Sequence, residues 1–377
     1  VLNMRTFRKT IYILFIFIIA LFPLIVKNPN INYQTARQKN PSLPINNEIK
    51  QSEIYIDPEI KQLDTSLMFF GDIMTGRNVE ELSKDNNNYP FLKLQDLLSE
   101  KNDIRIANLE GPINKNHKQV PTGSMSFSLP EYTASILKQN GFNLMQLANN
   151  HMQDRGSNGF IETQTILKDN NIDFFGDYYN RNEYISFEKN INNIPFLFIG
   201  INMINTDCEK NINLCITNIA DEIKNTINKK DNYFKIVFIH WGNEYNQKSN
   251  NVQQTLAHKL IDSGIDLIIG GHPHVVQEIE KYNNKLIFYS LGNFVFDQYF
   301  SKDTQQNYAI RLTINNNLTF DIIPLQSIKS QPQIMDKETQ TTFLKILSEN
   351  SSKDIQQSIL DKKIIIENFN LGEKDKK

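Results

Sequence analysis

The chain has 377 residues, enough for a sizeable core in one large domain or two small ones. Its 40 basic and 42 acidic side chains leave a formal net charge of −2, and no basic stripe with interleaved aromatics occurs, which argues against a nucleic-acid partner. The abundance of Asn and Ile says little about fold.

Arg5, Arg8 and Lys9 precede an apolar run over residues 11–26, broken by Pro23. The run is short against the roughly 20 residues of a spanning helix, but residues 2–7 can extend it. Positive charge ahead of it assigns residues 1–10 to the cytoplasm and everything after Lys27 to the far side of the membrane. Lys-Asn-Pro follows Val26, with no small-x-small cleavage site and no cysteine to carry a lipid. An uncleaved anchor at the cytoplasmic membrane is therefore expected over a cleaved signal peptide. Residues 27–65, with Asn, Gln and Pro and little periodicity, read as a tether.

From residue 66 a pattern recurs of apolar strand, polar strand end and helix. Strands are expected over 66–70 (SLMFF), 103–107 (DIRIA) and 142–148 (FNLMQLA), with helices over 91–99, 131–140 and 157–170. Residues 183–189 and 194–201 look like paired strands, and 216–229 like a helix. Cys208 and Cys215 lie in between; a disulfide and a free pair both stay open, and no nearby His supports a zinc site. A strand over 233–239 (YFKIVFI) is followed by a helix over 252–263 and a strand over 265–269 (IDLII) that stops at Gly270-Gly271. Another strand covers 285–289 after a turn at Asn283-Asn284. Residues 308–314 and 318–325 read as a hairpin completing a second sheet, and 337–368 as one or two amphipathic helices before a charged tail.

The strand ends carry the chemistry. Asp72, Asn108 with Glu110, Asn150 with His151, His240, and His272 with His274 each follow an apolar strand. Strands alternating with helices give mostly parallel sheets, and open α/β sheets bind ligands at the carboxyl ends of their strands. A shared rim would therefore gather these acids, amides and imidazoles around a divalent cation; mixed oxygen and nitrogen donors suit manganese, zinc or iron. Each residue also has a bland reading. Asp72 can cap a helix, Asn150 can serve a tight turn, His151 can be a buried hydrogen-bonded ring, and His240 can pack with Trp241. Arg77 is equally readable as a surface ion pair and as a clamp on an anionic substrate. His117 and His258 read as solvated.

The order of these groups resembles the metallophosphatase (calcineurin-like phosphoesterase) plan. The wording is closest to its capsule-synthesis branch, the CapA/PgsA family linked to poly-γ-glutamate. The stretches that carry the resemblance are GDIMTGR (71–77), NLEGPI (108–113), LANNHMQDRG (147–156), HWGNEY (240–245), GGHPHVVQ (270–277) and YSLGNFVFD (289–297). The resemblance spans about residues 66–330 and leaves 331–377 as a C-terminal extension. It implies an α/β fold, a four-layer α/β/β/α sandwich with the site at one sheet edge. It also implies that Asp72, Glu110, Asn150, His240, His272 and His274 are metal ligands, with Glu110 bridging. His151 would be the general acid or a transition-state donor, its ring held by Asp154. Arg77, Glu244 and Asn293 would contact substrate, or in the last two cases support the ligands. The implied partners are a polyanionic polymer and membrane synthase or export subunits. The sequence departs from the phosphoesterase plan at Met74, where that plan has a His, and in using Glu rather than Asp as the acidic bridge. A thioether is a poor ligand for borderline divalent ions, so a hydrolase and a non-catalytic binding module both stay open.

Overall fold

The computed structural model describes residues 64–176, 186–204 and 212–369. The anchor expected over 11–26, most of the tether and Cys208 lie outside the described residues; Cys215 is disulfide-bonded. Among the described residues no helix is long and apolar enough to cross a membrane.

In chain order the first half forms β1 (Thr65–Ile73), α1 (Arg77–Leu82), α2 (Gln95–Ser99), β2 (Ile104–Leu109), β3 (Ile113–Asn114) and β4 (Leu129–Pro130). Then come α3 (Tyr132–Gln139), β5 (Leu144–Gln146), α4 (Gly156–Asp169), β6 (Asp173–Phe175), β7 (Ser186–Ile191) and β8 (Ile194–Asn202). The second half holds α5 (Ile212–Ile227), β9 (Phe234–His240), α6 (Asn251–Asp262), β10 (Leu267–Gly271), β11 (Ile279–Tyr282), β12 (Lys285–Phe288) and β13 (Asn293–Val295). It ends in β14 (Gln306–Ile314), β15 (Leu318–Ile328), β16 (Gln331–Ile334), α7 (Lys337–Asn350), α8 (Gln356–Leu360) and β17 (Lys363–Ile366).

The result is a mixed α/β fold with two large sheets. One runs β16-β15-β14-β1-β2-β5-β6, with β13 beside β1 and β17 beside β15; the other runs β11-β12-β10-β9-β8-β7. β1, β2, β5 and β6 are parallel, as are β8, β9, β10 and β12. Their apolar runs are continuous because both faces are covered. In β1, Leu67 and Phe69 join a cluster shared with Phe198, Phe238 and Ile269 of the other sheet, so the sheets pack face to face. Met68 and Phe70 join a second cluster with Leu137 of α3 and Leu167 of α4. A third cluster sets Val237 and Ile268 against Ile223 of α5 and Leu260 of α6. Each fully buried Phe or Leu contributes about 1.5–3 kcal/mol.

Several expectations change. The hairpin β14–β15 does not complete the second sheet: β14 pairs antiparallel with β1 in the first. The helix expected over 91–99 is two short pieces, because Pro90 starts a single 3-10 turn over Tyr89–Phe91. Its apolar spacing was nonetheless meaningful, since Phe91, Leu94, Leu97 and Leu98 are all buried. The C-terminal segment is helical in α7, a 3-10 turn over Lys353–Ile355 and α8. Its β-branched Lys363–Ile366 run forms β17 and pairs with β15, with Ile364 and Ile366 facing inward.

Candidate metal centre

The carboxyl ends of β1, β2, β9 and β10 converge on one rim where the two sheets meet. Asp72 is the last residue but one of β1 and fully buried. Its Oδ1 accepts from Asn108 Nδ2 at 2.8 Å and its Oδ2 from the His272 backbone N–H at 3.3 Å. Asn108 Nδ2 is also 3.4 Å from His240 Nδ1, which ties the first sheet to the second. Asp72 Oδ2 lies 3.8 Å from His274 Nδ1, so residues from opposite parts of the chain meet as the strand-end pattern requires.

Small residues make this approach possible. A Cβ on Gly271 would stand 2.8 Å from Asp72 Oδ1, and one on Gly71 would stand 1.9 Å from the Gly292 carbonyl oxygen. Beyond β10 the backbone is strained: His272 has φ +93° and His274 φ +58°, on either side of Pro273. Tyr245, φ +64°, donates its N–H to the Pro273 carbonyl at 2.8 Å and ties the loop after β9 to this turn. A capping box at the start of α6 sets Gln253, whose amide donates to Gln277 Oε1 at 2.9 Å and steadies the chain just past His274.

Two groups of side chains have metal-ligand spacing. Asp72, Glu110 and His240 form one, and Glu244, His272 and His274 the other, with the ligand atoms of each within 4.8 Å of one another. Glu110 lies between them: its Oε1 is 3.7 Å from His274 Nε2 and 3.9 Å from His151 Nε2. Both Glu110 oxygens are buried without a hydrogen-bond partner, as is His272 Nδ1. A buried carboxylate with neither oxygen satisfied is costly unless a cation meets it. Without a cation, burial and the neighbouring Asp72 and Glu244 carboxylates push the Glu110 pKa well up. Burial raises Asp72 to about 6 against its two hydrogen bonds. Burial and the neighbouring rings lower His240 well below the ordinary imidazole range, and burial first, then nearby rings, holds His272 to about 4 and His274 to about 3. Neutral imidazoles beside buried carboxylates are the donor set a divalent cation needs, so the residues fit a metal.

The other expected residues divide. Asn150 is half-buried, with its Oδ1 2.9 Å from His240 Nε2. His151 Nδ1 lies 2.8 Å from Asp154 Oδ2, and the ring stacks on Phe127 with centroids 3.8 Å apart. Asp154 Oδ2 also accepts the Phe127 N–H at 2.6 Å. Asn293 is fully buried behind His274: its Oδ1 accepts from His274 Nδ1 at 2.9 Å while its Nδ2 donates to the Thr304 carbonyl. Arg77 is no surface pair. It is buried, ion-paired with Asp297, donates to the Ser124 carbonyl at 2.9 Å, and lies over the Phe127 ring. Trp241 belongs to the outer core and donates to the Tyr289 carbonyl, so His240 and Trp241 point to different tasks. Met74 is buried in the outer cluster of the first sheet, its sulfur accepting the Gly76 N–H at 3.2 Å.

His117 is not solvated, and His258, a third exposed, is paired rather than free. His117 bridges Ser128 and Glu80 at 2.8 Å each, and His258 pairs with Glu280 at 2.8 Å. Sequence reasoning missed Asn149, whose amide donates to Asn108 Oδ1 and the Leu109 carbonyl, and Asp297 as the partner of Arg77. Both sit inside the strand-end motifs, which was the only available signal.

The family model described as "Bacterial capsule synthesis protein PGA_cap" matches residues 66–298. The chain is 28% identical over 312 residues to a PGA biosynthesis protein CapA of Bacillus subtilis (strain 168), covering 78% of this chain and 81% of that one. It is 29% identical over 318 residues to a Capsule biosynthesis protein CapA of Bacillus anthracis, covering 80% and 77%. Among solved structures, a hypothetical protein from Thermus thermophilus aligns over 71% of this chain and 96% of its own at 15% identity, with a TM-score of 0.42. The purple acid phosphatase PPD1 of yellow lupin aligns over 72% and 53% at 10% identity, with a TM-score of 0.31.

Proposed function

The chain belongs to the bacterial capsule synthesis family PGA_cap, and from that premise we propose that it is an extracytoplasmic component of capsule or poly-γ-glutamate assembly with a metal-dependent site. The observation that carries the site is Glu110, whose two buried oxygens lack any hydrogen-bond partner beside neutral imidazoles. The three apolar clusters support reading the fold as a four-layer α/β/β/α sandwich with this site on its rim. The basic flank and apolar run over 11–26 support an anchor in the cytoplasmic membrane, which would hold the domain beside synthase or export subunits handling a polyanionic polymer.

Asp72, Glu110, His240, His272 and His274 would hold the cation, which supplies Lewis-acid polarisation of an ester, phosphoester or amide oxygen. The chain's own residues do the rest. Asn293 keeps the His274 Nδ1 proton, which leaves its Nε2 lone pair toward Glu110. Asp154 keeps the Nδ1 proton of His151, so His151 Nε2 is the atom able to give or take a proton at the edge of the centre. That dyad favours a metal-dependent hydrolase acting on the polymer or its precursor. Arg77, committed to Asp297, is better placed to hold Phe127 and so His151 than to clamp a substrate by itself.

The test is complementation of a strain lacking the gene. The full chain should restore surface polymer and His272→Ala should not, at equal membrane abundance. Unchanged polymer in the deletion strain removes the assembly role; full restoration by His272→Ala removes the metal-dependent site from it.

A further inference from the structure

A second recess lies outside the metal rim, where α7 packs on the core between the two sheets. Phe343 and Leu347 of α7 belong to the cluster that both sheets share. Beside them runs a crevice of about 430 Å³, counting its mouth. Its other walls are the segment leading into β11 and the start of β14. The family match ends at residue 298, so the α7 and β14 walls both come from beyond it.

The charged part of the lining is acidic and uncompensated. Among the described residues, the Glu278 carboxylate accepts only from the N–H of Ser249, at 3.1 Å, and from its hydroxyl. Both donors are neutral. Asp303, in the 3-10 turn just before β14, is exposed. Neither carboxylate has a cationic partner among the described residues.

A buried hydroxyl stands behind them. Tyr308 shares a face of β14 with Gln306, which lines the crevice, and its ring lies 6.2 Å from that of Phe343. Its hydroxyl is fully buried without a hydrogen-bond partner. Burial first, then the Glu278 carboxylate, pushes its ionisation far up, so it keeps its proton and can accept as well as donate. An unpaired buried hydroxyl is destabilising and marks a place for an incoming polar group.

We infer that this crevice binds the side chain of a lysine presented by a partner polypeptide. The apolar walls, Val276, Phe343 and Leu347, take the alkyl stem. The ammonium supplies three donors, which matches two carboxylates and a hydroxyl oxygen that have no cation of their own. A ligand bearing carboxylates, a polyanionic polymer included, meets like charge here and is rejected. Ile346 at the lip is 48% exposed and gives the residues flanking the lysine an apolar surface to cover. The inference does not depend on metal at the rim.

The experiment is calorimetric titration of the full chain in detergent, freed of metal by chelation, with the peptide acetyl-Ala-Lys-Ala-amide. Saturable one-to-one binding with a Kd on the order of 1 mM is expected, and its absence overturns the inference. The same peptide with norleucine or glutamate in place of lysine should not bind; comparable affinity for either also overturns it. Glu278→Gln should cost at least about tenfold in affinity, the usual worth of a charge-assisted hydrogen bond. Asp303→Asn, at an exposed position where folding is not at risk, should cost about 3–10-fold. Tyr308→Phe should cost about as much while leaving the melting temperature unchanged or higher, because the hydroxyl has no partner to lose. A lower melting temperature would show that the hydroxyl is spent inside the fold and would overturn the inference, as would unaltered affinity in all three variants. Pentylamine binding as tightly as the peptide overturns the polypeptide as the partner.

Discussion

Asn293 accepts a hydrogen bond from His274 Nδ1 at 2.9 Å, and this contact decides which ring nitrogen faces Glu110. The amide orientation is itself fixed, because Nδ2 donates to the Thr304 carbonyl, which can only accept. Asn293→Ala should weaken metal affinity about 10–100-fold, the usual effect of removing a partner behind a metal-bound histidine. Asn293→Asp, which keeps an acceptor, should retain most of it. Chelator competition measures both; equal affinities in the two variants would show that the ring needs no such partner.

His151 and Asp154 should matter for turnover and not for metal content. His151→Ala should keep its bound metal and lose about 10²–10⁴-fold in rate on a generic phosphodiester or on polyglutamate. Asp154→Asn should fall between it and the wild type. Metal analysis beside steady-state rates separates the roles. Loss of metal in His151→Ala would make that ring a ligand.

Metal uptake should weaken with acidity beginning near pH 6. Asp72 is raised to about 6 in the cation-free site, so below that pH a proton must leave before a cation can enter. Glu110, also raised, adds to the same trend. His272 and His274, lowered to about 4 and 3, stay neutral across this window and do not compete. The sign is thus fixed by carboxylates: affinity falls as pH drops from 7 to 5. Isothermal titration at stepped pH reads it, and an affinity flat over that range would contradict the burial of these groups.

Arg77 and Asp297 form a buried ion pair at the foot of the site. Arg77→Met leaves a buried carboxylate uncompensated and should cost about 3–5 kcal/mol in denaturant unfolding. The double change with Asp297→Leu should recover much of that loss. A double variant as unstable as the single one would mean that Arg77 acts through its contact with Phe127 instead.

The parallel strands were legible because they are covered on both faces and read as unbroken apolar runs, as in β1 and β9. The residues at their ends were legible for the same reason, since a polar group directly after such a run has few structural uses. Where neighbours decide the state, the reading failed. Residues 363–366 follow two helices in an amphipathic pattern, but the open edge of β15 takes them as a strand. The hairpin β14–β15 has unmistakable alternation, yet alternation cannot say which sheet it joins.

Residue type and order alone determined that acids, amides and imidazoles end successive strands, and that Met74 stands where a ligand would suit the pattern. They also placed His151 three residues before the acid that holds it. Only the tertiary structure decided which of these groups come within ligand distance of one another, that Asn293 bonds to the His274 ring, that Arg77 is spent on Asp297, and that Glu244 reaches the histidines. Strand periodicity is a local property written in each segment, whereas the distance between two side chains depends on how the sheets pack and where the strained loops after β9 and β10 turn back.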